Sequence, residues 1–174
     1  FVTLRQLRAE VGNDACRIFY LMRSNDQSLD FDLELAKSKS NENPVFYIQY
    51  AHARVASVMK ELAARSLSYD PMAAADIVAT QGAHLLAGAH AEAMLSCLSR
   101  YPEVIRQAAA QRAPHALVHY LKELATTLHA FYNAERVLVP ENDLRQARVY
   151  ALLAVQQALR NGLGILGASA PETM

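Results

Sequence analysis

One apolar stripe limits the folds open to this chain more than any other feature. Between residues 44 and about 65, side chains recur at alternating three- and four-residue steps, which places them on one face of an α-helix. The stripe consists of Val45, Ile48, His52, Val55, Met59 and Leu62. No segment alternates apolar and polar residues with a period of two, so the sequence predicts an all-α helical bundle. His52 falls inside the stripe, which favours an interior, hydrogen-bonded histidine over a metal ligand.

Start and stop signals divide the rest of the chain into further helices. Thr3 and Gln6 have capping-box spacing, so a short helix begins there and ends at Gly12. A second helix is predicted over residues 15–22 and a short charged one within 29–43. Further helices are predicted over 87–100, from Pro102, from Pro114, and after a connector at 139–143 with Asp143 as N-cap. No element is assigned to residues 71–86.

The last predicted helix contains a local conflict at Gly162 and Gly164. Each glycine inside a helix costs about 1 kcal/mol relative to alanine. Either the helix ends there, or a neighbouring backbone packs too closely for a side chain.

Composition excludes several classes of protein. The chain has 174 residues, 52% of them hydrophobic, and its 17 basic residues balance 17 acidic ones. It can therefore bury a core and is not a globally basic nucleic-acid coat. Its two cysteines do not suggest a disulfide scaffold, and no apolar run is long enough for a membrane span. The first residue is Phe1 rather than Met, and a helix signal follows at once, which indicates a piece of a longer protein.

Motifs for catalysis are missing from the sequence. There is no glycine-rich phosphate loop, no nucleophile elbow and no H-E-x-x-H. His115, His119 and Glu123 share one helix face and could contribute metal ligands, but a histidine-bearing helix flank is the simpler interpretation. We therefore predict no catalytic residue, no metal and no cofactor in this chain.

A second flank of the 44–65 helix carries a stronger signal. Tyr47, Tyr50 and Arg54 project away from the apolar stripe, and no acidic residue lies between Asn43 and Lys60. Tyrosines beside cations suit single-stranded RNA, because rings stack on unpaired bases and guanidinium groups meet phosphates. The alternative is that these tyrosines pack between helices with their hydroxyl groups at the rim.

Several segments resemble arginyl-tRNA synthetases, which are class I aminoacyl-tRNA synthetases. Residues 43–54 resemble the N-P-V-x-Y-x-Q-Y-A-H-A-R signature of that family. Residues 128–133 and 147–152 are similar to its anticodon-binding domain, named for a D-A-L-R motif. Residues 1–4, 11–15, 17–19 and 29–33 resemble the segment after the KMSK-type loop, and residues 161–167 and 170–174 the carboxyl end.

The resemblance implies a C-terminal fragment of an arginine–tRNA ligase. Residues 1–42 would be a helical connector from the end of the catalytic domain, and residues 43–174 the anticodon-binding domain. The parent enzyme would join arginine to its tRNA with ATP and Mg, as a cytoplasmic monomer, and this fragment alone would be inactive. Its partners would be the anticodon loop of arginine tRNA and the catalytic domain of the same polypeptide, with no membrane.

The matching positions also imply the residues that bind tRNA. They are Tyr47, Tyr50, Arg54, Tyr132, Asn133, Arg136, Arg148 and Met174. The match does not say whether Arg54 and Arg148 touch phosphate or brace the bundle, and Arg136 is included because it lies one helical turn beyond Tyr132. The competing interpretation is a helical protein-interaction domain without RNA binding, which burial of all three tyrosines would favour. An independent metal enzyme built on His115 and His119 is a third.

Overall fold

The computed structural model describes residues 3–174, and within that range the chain is helical without strands. Phe1 and Val2, which belong to one of the resembling segments, lie outside the described residues. The elements are α1 (Leu4–Leu21), α2 (Leu33–Lys37), α3 (Pro44–Ala64), α4 (Pro71–Leu85), α5 (Ala89–Ser99), α6 (Tyr101–Gln111), α7 (Pro114–Ala134) and α8 (Asn142–Ile165). The predicted all-α fold class is confirmed.

Local signals set the start of the first helix and a break within it. The Thr3 side chain accepts from the Gln6 backbone, and the Gln6 side chain accepts from the Thr3 backbone, which completes the predicted capping box. Gly12 has φ 82° and ψ 168°, so the helical path is interrupted where the sequence predicted an end. The chain resumes the helix at once, and both parts belong to α1.

Asn43 joins the second and third helices. Its side-chain oxygen caps α3 by accepting from the backbone amides of Val45 at 3.0 Å and Phe46 at 3.4 Å. Its amide nitrogen donates to the carbonyls of Ala36 at 3.2 Å and Ser38 at 2.8 Å. With Pro44 at the first helical position, one buried side chain therefore sets both the end of α2 and the start of α3.

The core lies where α3, α7 and α8 pack together. Its largest fully buried side chains include Ile48, Val55, Leu121, Leu124, Leu128, Phe131, Leu152, Leu159 and Leu163. Burying each of these contributes about 1.5–3 kcal/mol. Around this centre α4 packs on α8, α5 and α6 pack on α7, and α1 packs on α2, α3 and α7. The two long helices α3 and α7 consequently lie side by side.

Two expectations about helix boundaries are wrong. The structure has a helix, α4, where none was assigned; Asp70 caps it by accepting from the Met72 amide at 2.9 Å. Ala74 and Gly82 of α4 are buried, and Ile77, Val78 and Leu85 on the same face are partly buried against the core, so the sequence held an apolar stripe that was missed. Asp143 is not an N-cap, because α8 begins at Asn142 and Glu141 holds the cap position without a side-chain bond.

The glycine pair does not end the last helix, which continues to Ile165. A Cβ on Gly162 would lie 2.6 Å from Leu121 Cδ2, so the close neighbour is a side chain of α7 rather than a backbone. Gly164 has no such neighbour within 4 Å.

Candidate nucleic-acid interface

The flank predicted from α3 lies against the end of α7. Tyr47, Tyr50 and Arg54 are on α3, and Tyr132 and Asn133 come from the last turn of α7. We call these five residues the tyrosine platform. Their side chains are brought together by the packing of two helices whose contacting residues are 75 to 82 positions apart in sequence.

Arg54 is the central side chain of the tyrosine platform. Its guanidinium carbon lies 4.8 Å from the centre of the Tyr50 ring and 4.6 Å from that of Tyr132. One guanidinium nitrogen donates to the Tyr50 hydroxyl at 3.1 Å, and the other lies 3.4 Å from Asn133 Oδ1. A planar guanidinium can stack and donate at the same time, which an ammonium group cannot do. Arg54 therefore braces the tyrosine rings through contacts within the protein itself.

His129 of α7 packs against the tyrosine platform, and it was not among the site residues predicted from the sequence. Its Nδ1 lies 3.0 Å from the second guanidinium nitrogen of Arg54, and its Nε2 lies 3.4 Å from the Tyr47 carbonyl. Burial lowers the pKa of His129, the Arg54 charge lowers it further, and the Tyr47 carbonyl opposes both effects. A neutral imidazole fits these contacts, since Nδ1 can accept from Arg54 while Nε2–H donates to the carbonyl.

Aromatic rings continue along the open side of α3. The Phe46 and Tyr50 rings are stacked with centroids 5.8 Å apart and an interplanar angle of 13°. Tyr47, Tyr50 and Tyr132 are each half-buried, so each ring keeps an accessible part. Burial of all three tyrosines would have favoured a domain without RNA binding, and none of the three is fully buried.

Arg136 lies beside the platform. With Tyr132 it lines a groove of about 210 Å³ between the C-terminal parts of α3 and α7, together with Arg65. Arg65 was not among the site residues predicted from the sequence, and it pairs with Glu61 one turn earlier. The groove therefore places two arginines next to the Tyr132 ring.

Arg148 has a different position from the other predicted residues. It is 14% exposed, and its two terminal nitrogens contact Glu135 Oε2 at 2.5 Å and the Arg136 carbonyl at 2.6 Å. It therefore fixes the turn that follows α7 and carries Arg136. The neighbouring Arg145 of α8 is buried and donates to the carbonyls of Val139 and Pro140.

The carboxyl tail lies on the other flank of α3. Met174 is 56% exposed, and the tail before it is bound to α3 through His52 Nδ1, which lies 2.8 Å from the Pro171 carbonyl. His52 is fully buried, as the stripe predicted. Burial lowers its pKa, and the bond to the Pro171 carbonyl opposes that shift.

The metal-site interpretation receives no support in the described part of the chain. Within residues 3–174 no three His, Cys, Asp or Glu side chains are grouped so that they could hold an ion. The His115 and His119 rings are 6.4 Å apart, and Glu123 pairs with Arg100 instead. No helix in the same range is both long and apolar enough for a bilayer crossing.

Comparison with known proteins agrees with the architecture and the motifs. Residues 48–174 match the family model described as the DALR anticodon binding domain. All 174 residues align with arginine–tRNA ligases, at 55% identity to that of Coxiella burnetii and 52% to that of Legionella pneumophila, covering 28% and 29% of those proteins. The chain thus spans less than a third of the length of the curated relatives it matches.

A solved structure gives the same result. The arginyl-tRNA synthetase of Thermus thermophilus superposes with a TM-score of 0.75 at 29% identity, over 95% of this chain and 27% of that one. The helical bundle, the matched residues 48–174 and the full-length alignment all agree. The chain therefore belongs to the DALR anticodon-binding domain family, in the form found in arginine–tRNA ligases.

Proposed function

We propose that this chain is the part of an arginine–tRNA ligase that binds the anticodon loop of arginine tRNA. The observation that carries the proposal is the tyrosine platform, in which Arg54 holds the half-exposed rings of Tyr50 and Tyr132 in place. Unpaired bases of a loop stack on such rings, with about 1–3 kcal/mol per base. A platform that is braced before RNA arrives loses little side-chain entropy on binding.

The predicted site residues divide by role. Tyr50 and Tyr132 would stack on bases, while Tyr47 packs against His129 and supports them. Asn133 would offer its amide to a base edge. Arg54 acts mainly by holding the rings, because its donors already have partners in the protein.

The remaining three residues surround the platform. Arg136 would meet phosphate from the groove beside Tyr132, and Arg148 would act indirectly by fixing the turn that carries Arg136. Met174 would contribute an adaptable apolar side chain and the terminal carboxylate.

The proposal also covers the longer enzyme of which this chain would be a part. Since the matched relatives are more than three times longer, arginine activation with ATP and Mg would belong to a catalytic domain of the same polypeptide. In this proposal residues 1–42 connect that domain to the anticodon-binding domain at 43–174. The parent would be a cytoplasmic monomer, and this chain alone would be inactive.

Charge limits the affinity of the chain on its own. Binding to a polyanion depends on several cationic contacts and weakens with salt. Here the net charge is zero, and Arg54, Arg145 and Arg148 are already bonded within the protein. We therefore expect a dissociation constant in the micromolar range or weaker, and nanomolar binding at physiological salt would contradict this.

The test is binding to arginine tRNA and to a non-cognate tRNA at two salt concentrations. Wild type should prefer arginine tRNA, and Tyr132→Ala should lose that preference. Tyr20→Ala is the matched control, because Tyr20 is a half-exposed tyrosine on α1 whose aromatic neighbour is Phe31. Equal binding of both tRNAs, unchanged by Tyr132→Ala, would overturn the proposed function.

A further inference from the structure

The tyrosine platform lies on one flank of α3, and two polar residues on the opposite flank make different contacts. Gln49 and His52 are 9% and 0% exposed, although both carry hydrogen-bonding side chains. A buried polar group without partners costs about 1–3 kcal/mol, so its partners show what it does. Both residues bond to the carboxyl tail that follows α8.

Gln49 and Asp14 hold the first part of the tail. Gln49 Nε2 donates to the Ser169 carbonyl at 3.0 Å and to Asp14 Oδ2 at 2.8 Å. The same carboxylate oxygen accepts from the Ser169 backbone amide at 3.1 Å and from the Ser169 hydroxyl. One carboxylate from α1, one amide from α3 and one tail residue thus form a closed set of contacts.

His52 holds the next part of the tail. A carbonyl oxygen only accepts, so at 2.8 Å the His52 Nδ1 carries the proton and donates to Pro171. Its Nε2 then accepts from Arg160 Nε at 3.4 Å, and another nitrogen of Arg160 lies 3.5 Å from Glu172. The chain is therefore anchored to within three residues of its end.

These anchors set where the last residue can go. Three residues beyond Pro171 span at most about 10 Å, since an extended chain advances about 3.3–3.6 Å per residue. At about 100° per residue, His52 and Tyr50 lie roughly 160° apart around the axis of α3. Phe46, which is half-buried, and Ser57, which is exposed, project in the arc between them, so the tail and the tyrosine platform lie on either side of these two residues.

We propose that Asp14, Gln49 and His52 form a tail latch, a set of positioning residues that present Met174 to the anticodon loop from the side opposite the tyrosine platform. This inference rests on the proposed function. The anticodon loop then lies over Phe46 and Ser57 of α3, with stacking rings on one side and the terminal Met174 on the other.

A double-mutant cycle in the 174-residue chain tests this role. The variants are Gln49→Ala, Met174→Ala and the two combined, and the measurement is affinity for the anticodon stem-loop of an arginine tRNA. If the latch acts by presenting Met174, each single variant weakens binding about fivefold, which is about 1 kcal/mol. The combined variant is then at most about twofold weaker than either one, because both remove the same interaction.

A conservative pair of variants gives a second readout. His52→Asn keeps an amide donor near the position of Nδ1 and should retain binding, whereas His52→Ala should weaken it. Thermal melting of each variant checks that it folds. If His52→Ala fails to fold, the double-mutant cycle of Gln49 and Met174 still decides the question. Tyr132→Ala is measured in parallel as the test of the platform.

Three results would overturn the latch. Additive losses in the cycle would mean that Gln49 only supports the fold. An unchanged affinity of Met174→Ala, with Tyr132→Ala still defective, would remove the latch while leaving the proposed function intact. If Tyr132→Ala also binds like wild type, both proposals fail together.

Discussion

Replacing Arg54 by alanine tests whether the tyrosine platform is built by the protein before RNA binds. The substitution removes donors to the Tyr50 hydroxyl at 3.1 Å and to His129 Nδ1 at 3.0 Å. It also removes the guanidinium from the faces of Tyr50 and Tyr132. An arginine used only for phosphate would have none of these contacts in the free protein.

The size of the effect follows from those contacts. Losing hydrogen bonds from a charged, half-buried donor costs about 1.5–3 kcal/mol. The two ring contacts add about 0.5–1 kcal/mol each at a partly exposed site. Because one guanidinium makes all of them, we expect about 2–4 kcal/mol rather than the full sum. For a chain of this length that lowers the melting temperature by roughly 4–16 °C.

Thermal unfolding followed by circular dichroism measures this directly. The matched control is Arg106→Ala, since Arg106 is 75% exposed and its ion pair is with Glu103 on the same helix. Its loss should change the free energy of unfolding by no more than about 0.5 kcal/mol. Arg54→Lys should lie between the two, because it keeps the charge but not the planar fork. If Arg54→Ala and Arg106→Ala melt at the same temperature, the bracing role is wrong.

Two further predictions concern stability. Gly164→Ala should stabilise by up to about 1 kcal/mol through helix propensity, whereas Gly162→Ala should destabilise by about 1–3 kcal/mol, because its Cβ would lie 2.6 Å from Leu121 Cδ2. Urea unfolding compares the pair, and equal midpoints would contradict the packing argument. His52 and His129 both have lowered pKa values in the folded state. Their contribution to the free energy of unfolding should therefore be fully present above pH about 6.5 and be lost as the pH falls below it. The loss should be up to about 1.4 kcal/mol per pH unit for each histidine. His52→Asn should flatten this loss in melting curves recorded across that range, and an unchanged slope would exclude His52 as a source.

Local signals in the sequence were enough to predict most of the helices. The capping box at Thr3, the break at Gly12 and the start at Asn43 and Pro44 each depend on residues within four positions of one another. The interior position of His52 followed from the period of the stripe alone. Asp143 shows the limit of this reasoning. Its residue type suits an N-cap, but α8 begins one residue before it, at Asn142.

The helix α4 was missed although its signals are local. Its buried positions, Ala74 and Gly82, are small, but Ile77, Val78 and Leu85 share their face at three- and four-residue spacing and are partly buried against the core. Asp70 and Pro71 are also suited to the N-cap and the first helical position. What only the tertiary structure shows is that this face packs on α8.

By itself, the sequence determined the helical class, most helix starts and the tyrosine flank of α3, because these depend on spacings of three or four residues along one element. The tertiary structure alone decided that Arg54 braces Tyr132 instead of projecting into solvent, and that His129 lies beneath it. It also decided that Arg148 serves the turn after α7 and that His52 holds the tail. Each of these roles depends on a partner in another segment of the chain. Helix packing decides which partner a side chain contacts, and the spacing of residues along one helix does not contain that information.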